Sequence, residues 1–310
     1  MAKSGTKRVV LTALAGNAAI VVTKLIAFFY SGSSAMLTEC IHSVVDSGNQ
    51  LLLLIGQTRA KLPPDEDHPF GHGMESYFWS FIVALMIFLM GGAVSIWQGV
   101  TKVLHPEPVE YPLLSFAVLA FSAVFEGFSF HTAYREFRSV VRGRDVSLFE
   151  FLQASKDPNL FGTLIEDGAA LIGLTIAAAG VAGAAYLGLA WADGAASIAI
   201  GLLLVGISGF LANETRSLIA GESAAAPIVE AARKAAVSHA GVAQVDDLVS
   251  LHLGPRAILI VLSLVFPPGI GSDAADARRR ELARRVKETD ERIREVLFRP
   301  TYSCSEQSPS

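Results

Sequence analysis

Hydrophobic positions fill the first two thirds of the chain in runs of about 20 residues, the length an α-helix needs to cross a bilayer. They fall near 9–30, 34–58, 76–103, 110–134, 159–187 and 190–212, each separated from the next by glycine, proline or charged residues. The pattern predicts six membrane helices. The opening "MAKSGTKRVVLTALAGNAAIVV" has the basic head and apolar middle of a signal peptide. Lys24 interrupts its run, however, no A-x-A site follows and the apolar pattern continues, so it reads as the first membrane helix.

After about residue 213 charged residues become frequent and apolar runs shorten to strand length. From Ala224 to Ser303 the pattern predicts a helix ("PIVEAARKAAVSHA"), a strand ("QVDDLVSLHL"), a strand ("RAILIVLSLVF"), a helix ("SDAADARRRELARRVKETD") and a strand ("IREVLFRP"). "GPR" marks the turn between the middle strands. The expected fold is therefore an all-α six-helix transmembrane bundle over 1–212 and a small α+β domain over 213–303, one sheet with both helices on one face. Residues 304–310 read as a disordered tail.

Lysine and arginine set the orientation. Lys3, Lys7 and Arg8 precede helix one, Arg59 and Lys61 follow helix two, and Arg135, Arg138, Arg142, Arg144 and Lys156 lie between helices four and five. "SGSS" after helix one and "YLGL" before helix six carry no charge. Both termini are thus expected on the cytoplasmic side, with a bacterial inner membrane as the favoured location. Composition fits immersion in a lipid bilayer, with 52% hydrophobic and 17% charged residues, against about a quarter charged in soluble domains. A net charge of -4 gives no footprint for nucleic acid, and Cys40 and Cys304 cannot make a disulfide framework.

Against this background, ionisable side chains inside helices stand out, because each costs several kcal/mol at bilayer depth unless it meets a partner or water. In "TECIHSVVDSGNQ", Glu39, His42, Asp46, Asn49 and Gln50 recur every three or four residues and form one polar stripe. In "GTLIEDGAALIGL" of helix five, Glu166 and Asp167 are neighbours. Adjacent carboxylates in lipid repel unless a cation lies between them. Imidazole with carboxylates is a ligand set for a divalent first-row metal. A hydrogen-bonded network gluing the two helices is the bland alternative, but five ionisable groups exceed what glue requires. A third cluster, Asp65, His68 and His72 of "DEDHPFGHGMES", lies in the loop after helix two and could share an ion if Pro69 and the glycines turn the chain back. A solvated acidic loop is its alternative. Lys24, Glu126, His131 and Asp193 read as structural: a counter-charge, two residues flanking a water path, and a helix cap.

"GSSAMLTECIHSVVDSGNQ", "HPFGHG", "LIEDGAALIGL", "WADGAASIAIG" and "GES", in that order, resemble the cation diffusion facilitator family of divalent-metal/proton antiporters over nearly the whole chain. The resemblance implies that the C-terminal domain is cytoplasmic and ferredoxin-like and that the protein forms a homodimer through it. It also implies a transport site with His42 and Asp46 from helix two and Asp167 from helix five. The remaining helix-five ligand of the family falls on Thr163, so Glu166 or Glu39 would complete the shell, as in the branch with Glu-Asp in helix five. Asp65, His68 and His72 match the loop ion ligands of bacterial members, whereas His239 and His252 are isolated and read as ordinary.

The expected function is export of a divalent transition-metal cation in exchange for protons, zinc first, with manganese, iron or cobalt as other choices. No prosthetic group is expected. Ligands must shed protons before coordinating, which couples metal to pH, and the small residues of "AAAGVAGAAYLG" would let helices slide. An intramembrane metal-dependent enzyme is the first competitor, although no H-E-x-x-H is present. A non-transporting metal sensor is the second.

Overall fold

The computed structural model describes residues 18, 20–32, 34–106, 108–109, 111–140, 158–239, 243–266 and 271–299. The expectations on Lys3, Lys7, Arg8, Arg142, Arg144, Lys156, Cys304 and the 304–310 tail lie outside them. The chain divides into two compact units, one formed by 1–57 with 78–216 and the other by 58–77 with 217–310. The segment after helix two thus groups with the C-terminal residues, an association that sequence separation concealed.

The first unit is helical. Its elements are α1 (Ile20–Ser31), α2 (Ser34–Arg59), α3 (Glu75–Leu104), α4 (Pro112–Val140), α5 (Pro158–Tyr186) and α6 (Ala192–Ala220). The apolar windows anticipated these helices closely, but α4 and α6 run on past 134 and 212, to Val140 and Ala220. Among the described residues four segments, Glu75–Leu104, Pro112–Arg135, Phe161–Tyr186 and Ala192–Ala220, are long and apolar enough to cross a membrane. With 26 residues α2 has the length, but its polar stripe lowers its hydropathy. The described part of α1 is short. Outward-facing Phe29, Trp97, Leu113, Val124, Phe128 and Leu202 are exposed, an apolar surface suited to lipid. Met36, Phe161, Ala177, Ile200 and Leu204 are among the residues packed inside.

Glycine decides how closely α3 and α6 approach. A Cβ on Gly99 would lie 2.6 Å from the Gly194 carbonyl, and one on Gly201 would lie 2.9 Å from the Gly92 carbonyl. On each helix the two glycines are one heptad apart, so the backbones touch along a dry seam. Here α3 carries a π-helical stretch, Ile87–Ala93, with Gly91 and Gly92 buried. The small residues of α5 also pack tightly. A Cβ on Gly180 would overlap that of Ala196, and one on Gly183 would lie 2.8 Å from that of Ala192. That stretch is therefore a close-packed contact with α6. At the α1–α2 turn Gly32 adopts a positive φ of 60°, and its carbonyl accepts a 2.9 Å hydrogen bond from Lys102 Nζ.

The second unit contains α7 (Ala226–Val237), β1 (Gln244–Gly254), β2 (Ala257–Val265), α8 (Ser272–Thr289) and β3 (Ile293–Arg299). Every predicted element is present. The sheet order is β1-β2-β3, with β1 antiparallel and β3 parallel to β2. A tight turn suffices for the antiparallel pair, and α8 supplies the crossover that a parallel pair needs. Alternate residues Ile258, Ile260, Leu262 and Leu264 of β2 pack with Ile228 and Ala232 of α7 and Leu282 and Val286 of α8. Ser250 Oγ accepts from the Ala224 backbone N–H at 3.0 Å and ties β1 to the approach to α7. A ferredoxin-like unit has four strands in β-α-β-β-α-β order. The described residues supply the last five elements of that order and three strands.

Candidate metal-binding sites

Helical periodicity puts Glu39, His42, Asp46 and Asn49 on one face of α2, and the packing buries Glu39, His42 and Asn49. His42 Nε2 lies 3.3 Å from Asp46 Oδ2, one turn further on. Their alignment falls short of a hydrogen bond, so among the described residues Nε2 has no hydrogen-bond partner. Glu39 is differently placed. Its Oε2 is 3.1 Å from Lys24 Nζ of α1, both side chains being 1% exposed, and the same ammonium donates to Ser43 Oγ at 2.7 Å. Lys24 is thus the counter-charge the sequence suggested, with Glu39 as its partner. Oε1 of Glu39 faces α5, where a Cβ on Gly173 would lie 3.0 Å from it. Cys40, on the same helix, is buried and free.

On α5, Asp167 is buried, and its Oδ2 accepts a 2.7 Å hydrogen bond from Ser129 Oγ of α4. Its charge acts on both His42 and Asp46 of α2. Glu166 interacts electrostatically with Asp46 and Asp167, and its buried Oε1 has no hydrogen-bond partner among the described residues. Thr163, where the family pattern has a ligand, is half-buried. The approach of Glu39 Oε1 to Gly173 puts α2 and α5 side by side, with His42 and Asp46 on one helix and Asp167 on the other. These groups stand apart in this conformation, since among the described residues only the loop cluster brings three such ligand atoms within 4.8 Å of one another.

That loop cluster is built by a short turn. The Asp65 N–H donates to the His68 carbonyl, and Gly71, with φ 83°, lets its own N–H reach the same carbonyl at 2.9 Å. Asp65 Oδ1 receives the His68 backbone N–H at 2.7 Å and lies 3.2 Å from His68 Nδ1. Oδ2 lies 2.9 Å from His72 Nε2, and the two imidazoles stack with centroids 4.1 Å apart. The His72 hydrogen bond, then the His68 backbone N–H, holds the Asp65 carboxyl below its ordinary range. Next to His72, Gly73 fits against the β1–β2 turn so closely that a Cβ would overlap the Leu253 carbonyl. One carboxylate between two imidazoles, open to water, is a ready oxygen-and-nitrogen ligand set.

Of the residues given a structural reading, His131 is exposed and Asp193 is buried in the first turn of α6. The ring of His239 lies 3.8 Å from Glu281, while His252 is buried on the helix-covered face of β1. Ser129 had not been singled out. The signal was present, because Ser115, Ser122 and Ser129 recur every seven residues along α4, with Glu126 one turn from the last two.

Residues 10–220 match the cation efflux transmembrane domain. The chain is 32% identical over 250 residues to the mitochondrial proton-coupled zinc antiporter of Homo sapiens, covering 81% of this chain and 44% of that protein. It is 31% identical over 218 residues to metal tolerance protein C4 of Arabidopsis thaliana, covering 70% and 48%. To magnetosome protein MamM of Magnetospirillum gryphiswaldense it is 29% identical over 229 residues, covering 71% and 66%. The chain spans somewhat under half the length of the human and plant proteins. With a multi-pass helical unit and a domain match over most of its length, the chain belongs to the cation efflux, or cation diffusion facilitator, family.

Proposed function

We propose that the protein is a secondary transporter that exports a divalent transition-metal cation, zinc foremost, in exchange for protons. What supports this reading is the burial of His42, one turn from Asp46 on α2, and of Asp167 on α5, two helices that meet where Glu39 Oε1 approaches Gly173, with His42 Nε2 left without a hydrogen-bond partner among the described residues. A dication between them offsets their mutual repulsion and makes their burial tolerable. Protons and metal compete for the same nitrogen and oxygen atoms, so acidification on the receiving side releases the ion. Membership of a cation-efflux family speaks for transport over catalysis, and the human relative's name supplies zinc and proton coupling as the first choices.

In this reading α1 and α2 join the four apolar helices as a six-helix bundle, with α2 held in lipid because its stripe faces inward. The ferredoxin-like domain lies on the cytoplasmic side with both termini, and a second copy docks there to make a homodimer. Domain limits of 1–212 and 213–303 stand as proposed, with 58–77 allied to the second domain. The Asp65, His68 and His72 cluster binds a further ion on that same side. For the membrane, the sequence reading favours a bacterial inner membrane and the human relative's name a mitochondrial one. In either, the lysine- and arginine-bearing loops face the donor side.

Uptake of competing zinc, manganese, iron and cobalt into proteoliposomes under an imposed pH gradient tests transport, selectivity and coupling together. Metal flux that rises with the gradient and vanishes in His42→Ala and Asp46→Ala is expected. Flux unchanged in both variants refutes the proposed site.

A further inference from the structure

The transport site proposed above has three named donors, His42, Asp46 and Asp167, with Glu166 beside them as one candidate for the fourth, and this inference rests on that reading. Thr163 offers only a neutral hydroxyl, and Glu39 is engaged by Lys24 at 3.1 Å. The third helix around the site, α4, has an inward polar face. Ser115 and Ser122 are fully buried, and neither hydroxyl has a partner among the described residues. Ser129 reaches Asp167 at 2.7 Å. Since residues three and four apart share a helical face, Glu126, between Ser122 and Ser129, points the same way.

Depth agrees with direction. Ser129 Oγ bonds Asp167 at 2.7 Å, and Glu126 is three residues from Ser129, about 4.5 Å along the helix at 1.5 Å per residue. The charges that act on Glu126 are those of Asp46, Lys24, His42 and Asp167, the Lys24 ammonium being already paired with Glu39. With Ser129 bonded to Asp167 one turn away, the face of α4 that carries Glu126 is turned toward the α5 carboxylate. Buried His42 Nε2, without a hydrogen-bond partner among the described residues, is the second sign, a nitrogen left available to a ligand. A lone carboxylate at this depth is costly, and a cation is the partner that would offset it.

We propose that Glu126 of α4 supplies the carboxylate oxygen that completes the intramembrane cation site of His42, Asp46 and Asp167, making an oxygen-rich shell with a single imidazole. Such a shell is harder than one with two imidazoles and accepts manganese and iron more readily beside zinc. It also ties α4 to the ion, so three helices respond to its arrival.

The test uses the full chain in lipid nanodiscs, in an Asp65→Ala background that silences the loop cluster, with Co2+ as probe and Zn2+ as competitor. Glu126→Gln should weaken both ions by at least about tenfold and change the visible spectrum of bound Co2+. Glu126→Asp, which retracts the oxygen by one methylene, should keep more affinity but shift the spectrum, an effect that structural support alone would not give. Should Glu126→Gln fail to fold, the aspartate variant decides. Asp46→Asn is the control for the site itself. If Asp46→Asn loses binding in nanodiscs and flux in proteoliposomes while both Glu126 variants match the parent in affinity and spectrum, the inference is overturned and the site reading stands. Loss of binding in Glu166→Gln, and not in Glu126→Gln, likewise overturns it. If Asp46→Asn keeps affinity and flux, the site reading itself fails.

Discussion

Asp65, His68 and His72 use the same side-chain chemistries as His42, Asp46 and Asp167, in opposite surroundings. The loop cluster is contiguous in sequence and made by one turn, and Asp65 is 51% exposed. Water and two imidazole hydrogen bonds satisfy its carboxylate, so the three ligand atoms sit together. The proposed transport group is divided between α2 and α5, with His42 and Asp167 buried, and stands further apart. A contiguous site keeps its shape when helices move, because its ligands travel together. A divided site changes its affinity whenever its helices shift, and alternating access requires such a dependence. Geometry thus suits the loop to steady binding and the helices to transport.

The largest effects test that contrast from the helical side. His42→Ala, Asp46→Ala or Asp167→Ala should each cut metal flux in proteoliposomes by at least about 100-fold, beyond the 10–100-fold typical of residues that only orient a ligand. Circular dichroism should be unchanged. Next comes the buried pair beside the site. Lys24→Met leaves Glu39 unpaired and should cost about 3–5 kcal/mol, read as a lower thermal midpoint in detergent. Lys24→Met combined with Glu39→Met should regain much of it.

Smaller effects probe the loop. Asp65→Asn should weaken ion binding there by about tenfold while flux at saturating metal changes by less than about threefold, measured by titration and uptake on the same preparation. A matching collapse of flux would erase the distinction drawn above. The smallest effect concerns pH. Asp65 is held below its ordinary range, so its ordering of the loop is present above the unfolded carboxylate value of about 3.9. That ordering is lost only as pH falls through the still lower folded value. Protection of the His68 amide, taken relative to its intrinsic exchange rate, should therefore persist as pH falls through about 3.9 and be lost only below it, and in Asp65→Asn it should be weak throughout.

Much of this was legible in the chain because it is local. The stripe of α2 follows from the 3.6-residue period, and each element of the sheet unit follows from alternation and turn residues. Adjacent Glu166 and Asp167 announced themselves by charge in an apolar run. Pairings between helices were not legible, since nothing in the spacing of Lys24 and Glu39 or of Ser129 and Asp167 states which faces meet. Glu126 was visible as a residue, but its direction depends on how α4 is rotated. Likewise, the fit of Gly73 against the Leu253 carbonyl depends on segments far apart in sequence.

Whether one ion is shared by α2 and α5 can be seen by anomalous X-ray scattering from the zinc-loaded full chain. One peak is expected, bonded at about 2.0–2.2 Å to His42, Asp46 and Asp167 together, besides any in the loop. Zinc found only at Asp65, His68 and His72, with α2 and α5 unliganded in protein that transports the metal, would contradict a shared intramembrane site.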